Sequence, residues 1–288
     1  MTPANPVSSM KRLDCHHHFW HYEPEKFPWI TPERAIVGRD FLPAEFDTVL
    51  AAGKVDRSIV IQNFRTLAET DWLLSMAAEF AWIEAVVGWF PLADSNAEEV
   101  IERYAANPLI VGAREILQYP EVSVYFDDPA FHRGLKALAR HDLCYDILIG
   151  PWQLQDSICL VDTHPDLQFV LCHLGKPPIA SGDLSVWAAD LREIAQRPNV
   201  VGKLSGLPLE SKLPGWKSSD LWPCIDLALE VFGPDRLMFG SDWPPCLMAT
   251  SYEHWVRVVE LSLAPLSLDE QAKIWATTAE RVYGLPVS

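Results

Sequence analysis

The chain has 288 residues, 49% of them hydrophobic and 22% charged, with a formal net charge of -16. A chain of this length buries a sizeable core without disulfides, and its acidic balance argues against nucleic acid or an anionic membrane as partner, since both need a basic stripe. The opening MTPANPVSSMKR has no apolar signal core, and no run approaches ~18 uncharged apolar residues, so a protein of the reducing cytoplasm is expected.

Eight short runs of β-branched and apolar residues recur along the chain, at 12–19, 57–63, 83–90, 109–116, 144–149, 168–175, 199–207 and 236–244. Most are continuous apolar blocks, as expected for parallel strands covered by helices. The first is followed by a proline- and aromatic-rich stretch at 21–46, which reads as an irregular cover over one end of the fold. Helical spacing is predicted over 66–80, 95–107, 128–142, 184–198 and 218–233, and as two helices flanking Ala264 and Pro265. Strict alternation of strand and helix gives an open doubly wound sheet or a closed barrel. Eight strands in one cycle, with no GxGxxG after the first, favour the barrel. The expectation is therefore α/β: a single-domain (β/α)8 TIM barrel over 11–288, after a flexible tail over 1–10. The six cysteines (Cys15, Cys144, Cys159, Cys172, Cys224, Cys246) include no CxxC pair and read as reduced core thiols.

Ionisable residues at the ends of apolar strands are the informative anomaly. His16, His17 and His18 end the first run; Arg114 and Glu115 end the fourth. Tyr145 and Asp146 lie in the fifth, His173 and Lys176 end the sixth, Lys203 and Ser205 lie in the seventh, and Asp242 ends the eighth. In a barrel all of these converge on one mouth, where such folds place their chemistry. Side chains alternate along a strand, so His16 and His18 share one face, able to hold a cation or polarise an oxygen, while His17 faces the other way. Asp14 is expected on the face of His16 and His18, one layer deeper. His132, His141, His164 and His254 fall in helices or loops and read as structural.

The motifs DCHHHFW after the first strand, HLGKP after the sixth, KLSG in the seventh and FGSDWP at the eighth resemble the amidohydrolase superfamily. More narrowly they resemble its branch of sugar-lactone and pyrone-dicarboxylate lactonases, L-fuconolactonase-like and L-rhamnonolactonase-like proteins among them. The closing IWATTAERVYGL is similar to that branch's terminal helix, so the resemblance runs from about Leu13 to Leu285. It implies a hydrolytic site of His16, His18, His173 and Asp242, with Asp242 activating water and the histidines polarising a carbonyl, with or without one divalent ion, zinc by donor type. GAREIL after the fourth strand lacks the lysine that dinuclear members carry there, so two ions are not implied. Glu115 stands where the sugar lactonases more often have histidine, and either completes a metal set of His16, His18, Glu115, His173 and Asp242 or binds a substrate hydroxyl. Arg114, Lys176, Lys203, Ser205 and Tyr145 are candidates for binding the substrate, and Trp20, Trp29 and Trp243 for an apolar rim.

The implied activity is hydrolysis of a small-molecule sugar lactone to its aldonic acid, by a monomer or homo-oligomer. The alternatives are a lactonase for a carboxylated product of aromatic degradation, a lactone isomerase or decarboxylase of the same superfamily, and a degenerate barrel that only binds.

Overall fold

The computed structural model describes residues 10–119, 124–211 and 215–287. The expected tail over 1–10 lies outside these residues except for Met10, which packs against the core. The described residues form one eight-stranded parallel sheet: β1 (Leu13–His17), β2 (Arg57–Ile61), β3 (Ile83–Gly88), β4 (Ile110–Ile116), β5 (Cys144–Leu148), β6 (Phe169–Leu171), β7 (Val200–Leu204) and β8 (Leu237–Phe239), paired in that order. Past the strand ends, His18 N donates to Trp243 O and Asp242 N to His16 O, both at 2.7 Å, joining the first strand to the last. The sheet is thereby a barrel, as the alternation of elements predicts.

Helices α1 (Pro43–Gly53), α2 (Leu67–Glu79), α3 (Ala97–Ala105), α4 (Pro129–Arg140), α5 (Leu154–Thr163) and α6 (Ser185–Ile194) follow β1 to β6 in turn. After β7 come a single turn α7 (Leu207–Ser211) and α8 (Ser218–Phe232), and after β8 come α9 (Tyr252–Leu263), α10 (Leu268–Ala272), a π-turn (Lys273–Thr277) and α11 (Thr278–Tyr283). Three of these lie where the sequence reading predicts none: α1, α5 and the single turn α7, whose Leu207 it placed at the end of the seventh strand run. Helix α1 occupies the end of the supposed irregular stretch and runs beyond it, opening on Pro43 and burying Phe46, Leu50 and Gly53; α5 buries Leu154, Ile158 and Val161 at the same helical spacing. None of the described helices is long and apolar enough to cross a membrane.

The core has two parts. A large cluster fills the space between strands and helices. A smaller one, with Leu13, Cys15, Ile59, Ile61, Val87, Val170 and Met238, fills the barrel and includes Ala276, Ala279, Val282 and Tyr283 from the C-terminal segment. Cys144, the first residue of β5, donates its Sγ–H to Val282 O at 3.1 Å, which places that segment at the strands' N-terminal ends as a floor. The opposite end is left for chemistry.

Candidate active site

The first strand delivers its histidines through a bulge. Leu13 and Cys15 line the barrel interior, and the register against β2 then shifts between Asp14 and His17. The extra residue lets Cys15 and His16 both face inward, and His18 follows. Asp14 therefore does not lie beneath the histidines as the simple pleat predicts. It turns outward, and its Oδ1 accepts from His16 N (3.1 Å) and Ser241 N (2.9 Å), tying β1 to the segment after β8. His17 also faces the helix layer, with Nε2 2.9 Å from Ser58 Oγ and its ring 4.3 Å from that of Phe46. Gly240 is small because β8 meets β1 here: a Cβ at that position would stand 2.7 Å from His16 Cβ.

Two left-handed turns bring in the remaining groups. His173, Leu174, Gly175 and Lys176 have φ of 54°, 51°, 69° and 57°, a run that reverses the chain directly after β6 and ends the strand short of its predicted length. Trp187 Nε1 anchors the run by donating to Leu174 O at 2.8 Å. Asp242 has φ 57° and is held by its own N–H on His16 O and by Cys246 N–H on its carbonyl. Non-glycine residues at positive φ carry strain that surrounding contacts must offset, and such residues gather at functional sites.

These elements bring four side chains to one point. Asp242 Oδ1 lies 3.5 Å from His18 Nε2, 3.8 Å from His16 Nε2 and 3.9 Å from His173 Nε2, with all four residues buried. His18 Nδ1 donates to Ile61 O (2.8 Å), which fixes its Nε2 lone pair toward Asp242 in the neutral ring. His173 Nδ1 pairs with Ser205 Oγ at 2.8 Å. Burial pushes the pKa of His16 well down, that of His18 down and that of His173 to about 3, so the rings are uncharged. Burial acts to raise Asp242, but His173 and His18 when protonated, together with Lys176, hold its carboxyl below the ordinary value.

The spacing tests whether these groups suit a metal ion. Donors at 3.5–3.9 Å are too far apart for good hydrogen bonds. Ligands about 2.1 Å from a tetrahedral zinc stand ~3.4 Å from one another. His16, His18 and Asp242 each present a ligand atom within 4.8 Å of the others, and neutral imidazoles with a carboxylate are zinc donors. The set fits one divalent ion.

The other predicted residues separate. Arg114 faces the cluster, with Nη1 3.3 Å from His16 Nε2; Nη2 donates to Gln62 O, and Gln62 Nε2 donates back to Arg114 O at 2.9 Å. Lys176 lies at the mouth, donating to Gln118 Oε1, with Glu210 and Asp242 as charged neighbours. Glu115 points away from the four, its oxygens engaged by Arg65 Nε (2.5 Å), Trp89 Nε1 (2.9 Å) and Ile116 N (2.7 Å), so it is no member of the donor set. Lys203 is fully buried below the mouth, 2.6 Å from Asp146 Oδ2, out of a substrate's reach. Tyr145 turns outward between Phe131 and Phe169, because its neighbours Cys144 and Asp146 take the inward positions. Trp20 and Trp243 are buried in the outer core, Trp20 donating to Arg39 O and Trp243 stacked on Phe46 at 4.6 Å; neither forms a rim. Trp29 is partly buried against Trp20.

Three contributors escaped the sequence reading. Gln62 ends β2 as the others end their strands, but it carries no charge to draw notice. Gln118 follows β4 and holds Lys176. Glu69 lies in α2, where no pattern marks it, and accepts from Asn63 N (2.9 Å) and Phe64 N (2.5 Å) to shape the loop after β2.

Comparison with known proteins agrees with this geometry. A family described as amidohydrolase matches residues 13–285. The L-fucono-1,5-lactonase of Burkholderia multivorans is 38% identical over 285 residues, covering 96% of each chain. The L-rhamnono-gamma-lactonase of Scheffersomyces stipitis is 24% identical over 225 residues, 68% of this chain and 66% of that one. A crystal structure of an amidohydrolase from Burkholderia multivorans with bound zinc superposes with a TM-score of 0.92 at 38% identity, covering 96% of this chain and all of the other. With its barrel, its strand-end histidines and aspartate, and this match along nearly its whole length, the chain belongs to the amidohydrolase family.

Proposed function

We propose that the protein hydrolyses the ring ester of a sugar lactone, an aldonolactone such as L-fucono- or L-rhamnonolactone, to the open aldonic acid. The observation that carries this reading is the convergence of His16, His18 and His173 on the Asp242 carboxylate at the barrel mouth, in a chain whose relatives bear lactonase names.

Ester hydrolysis needs a polarised carbonyl, a deprotonated water and a proton for the departing ring oxygen. Asp242, held ionised, takes the water's proton as the oxygen attacks the carbonyl carbon, then returns it to the ring oxygen as the C–O bond breaks. Arg114, fixed by Gln62, puts a permanent charge beside His16 where negative charge develops on the carbonyl oxygen. Lys176, presented by the left-handed turn, reaches the mouth to bind a ring hydroxyl, and Ser205 sets the His173 ring. His16, His18 and Asp242 would hold one divalent ion, which would supply Lewis acidity for the carbonyl; the zinc in the solved relative supports zinc here.

A neutral sugar fits better than a carboxylated lactone. Among the described residues near the site, Lys203 is neutralised by Asp146 below the mouth and Lys176 already has Glu210 and Asp242 as charged neighbours, which leaves Arg114, placed for the carbonyl oxygen, and little further positive charge for two carboxylates. All six cysteines are free, five of them buried and Cys159 exposed rather than in the core, which suits a reducing cytoplasm.

A panel of aldonolactones in weak buffer tests the reading. The protein should acidify at least one of them well above the spontaneous rate, and Asp242→Asn should lower kcat by about 10³-fold or more while circular dichroism stays unchanged. A panel with no rate above background overturns it.

A further inference from the structure

Beneath the His16–His18–Asp242 cluster lies a second set of donors. A ring nitrogen of His16, a carboxylate oxygen of Asp146 and Cys172 Sγ all stand within 4.8 Å of one another, and all three residues are buried. Imidazole, carboxylate and thiolate are zinc donors. Asp146 also accepts from the Tyr283 hydroxyl at 2.8 Å, so this set reaches down to the barrel floor. Cys172 Sγ is 3.7 Å from Asp146 Oδ2, and His16 Nδ1 is buried with no hydrogen-bond partner. Into this set the Lys203 side chain extends from β7, its Nζ 2.6 Å from the same Asp146 oxygen and wholly shielded from solvent.

We propose that the Lys203 ammonium is a resident cation filling a second cation position, formed by His16, Asp146 and Cys172, and that it keeps divalent ions out of the barrel interior. A buried carboxylate requires a positive partner. A lysine and a metal ion both supply one, and the lysine, being covalent, does not exchange. A dication a few ångströms from a buried ammonium is strongly repelled where water does not screen the charges. The charge on Lys203 therefore limits the protein to the single ion of the mouth. This rests on the proposed function only through His16, which both donor sets share.

Cobalt(II) distinguishes the two positions, because only the deeper one includes a thiolate, which gives a near-ultraviolet charge-transfer band. Wild-type protein loaded with excess cobalt should lack that band. Lys203→Ala, which removes charge and volume, should gain it, with elemental analysis showing one more ion per chain than wild type. Lys203→Gln, which removes charge while keeping most of the volume, should gain the band as well. Adding Cys172→Ser to Lys203→Ala should abolish it. Zinc should also raise the thermal midpoint of Lys203→Ala by more than that of wild type, since an ion bound only by the native state stabilises it. The proposal is overturned by folded Lys203 variants without the band, by the band in wild type, or by variants that stay unfolded with zinc present. If wild type binds no ion at all and Lys203→Ala binds one with the band, the metal reading of the mouth fails while this one stands.

Discussion

Asp242 shows how much of the site depends on single residues. Its left-handed backbone and its contacts with His16 O and Cys246 N–H aim one carboxylate oxygen at three imidazoles. The strand-end pattern makes His16, His18, His173 and Asp242 legible in the sequence, because ionisable groups inside apolar runs need a reason to be there. Depth and facing are less legible. Lys203 and Ser205 lie two residues apart in one motif, yet Ser205 reaches His173 while Lys203 ends in a buried pair. Pattern does not indicate how far below the mouth a residue lies. Ser205 offers a test at this scale. If His173 Nε2 is to face Asp242 with its lone pair, Nδ1–H must donate to Ser205 Oγ, and Ser205→Ala leaves that donor unpaired and the ring loosely set. Such orienting partners are worth ~10–100-fold in metal affinity or activity. Steady-state kinetics on Ser205→Ala should show a loss of that order in kcat; an unchanged kcat would sink the assignment.

At the scale of elements, the two departures from expectation have separate causes. The bulge in β1 is invisible in a pattern of apolar and polar letters, because an inserted residue changes facing without changing composition; it alone turns Asp14 away from the face the simple pleat predicts. Helices α1 and α5 bury helically spaced residues, but proline and aromatic content masks the period in α1 and the unbroken apolar run at 158–161 blurs it in α5. The loop between β2 and α2 carries a pH effect of its own. Glu69 is buried against the backbone N–H groups of Asn63 and Phe64, and burial raises its pKa from 4.5 to about 7, with those N–H groups and Arg114 acting the other way. The folded protein thus binds a proton more tightly than the unfolded chain. Its stability is greatest below pH 4.5 on this account and falls as pH rises through about 7, by about 3 kcal/mol in all. Glu69→Gln, whose amide oxygen still accepts from the loop, should lose that slope. Urea midpoints of the two proteins measured from pH 5 to pH 8 should shift progressively in favour of the variant; parallel curves would contradict the assignment.

For the whole molecule, the barrel is legible because eight strand runs alternate with helical ones in a single cycle with no GxGxxG after the first, and the bonds of His18 and Asp242 across the first and last strands complete the closure. The floor was not, since a terminal helix with an apolar face reads alike whether it lies on the outside of a barrel or plugs its end. Its partners reveal the difference. Ala276, Ala279 and Val282 pack against Leu13, Ile59 and Met238, Glu280 pairs with Arg57 at 2.6 Å, and the Tyr283 hydroxyl reaches Asp146 inside the barrel. The C-terminal segment is thus continuous with the interior core, and its loss should act on the entire fold. Tyr283→Phe removes one donor to a buried carboxylate oxygen and leaves Lys203 on the other, which costs about 1–3 kcal/mol. In urea this should appear as a lower midpoint with an unchanged slope, because the surface exposed on unfolding stays the same. Removing residues 276–288 takes away the plug itself and exposes the interior cluster to water. That protein should lose its cooperative urea transition, since the interior cluster loses the residues that close it. A truncated chain that still unfolded in one sharp step at the wild-type midpoint would show that the barrel stands without its floor.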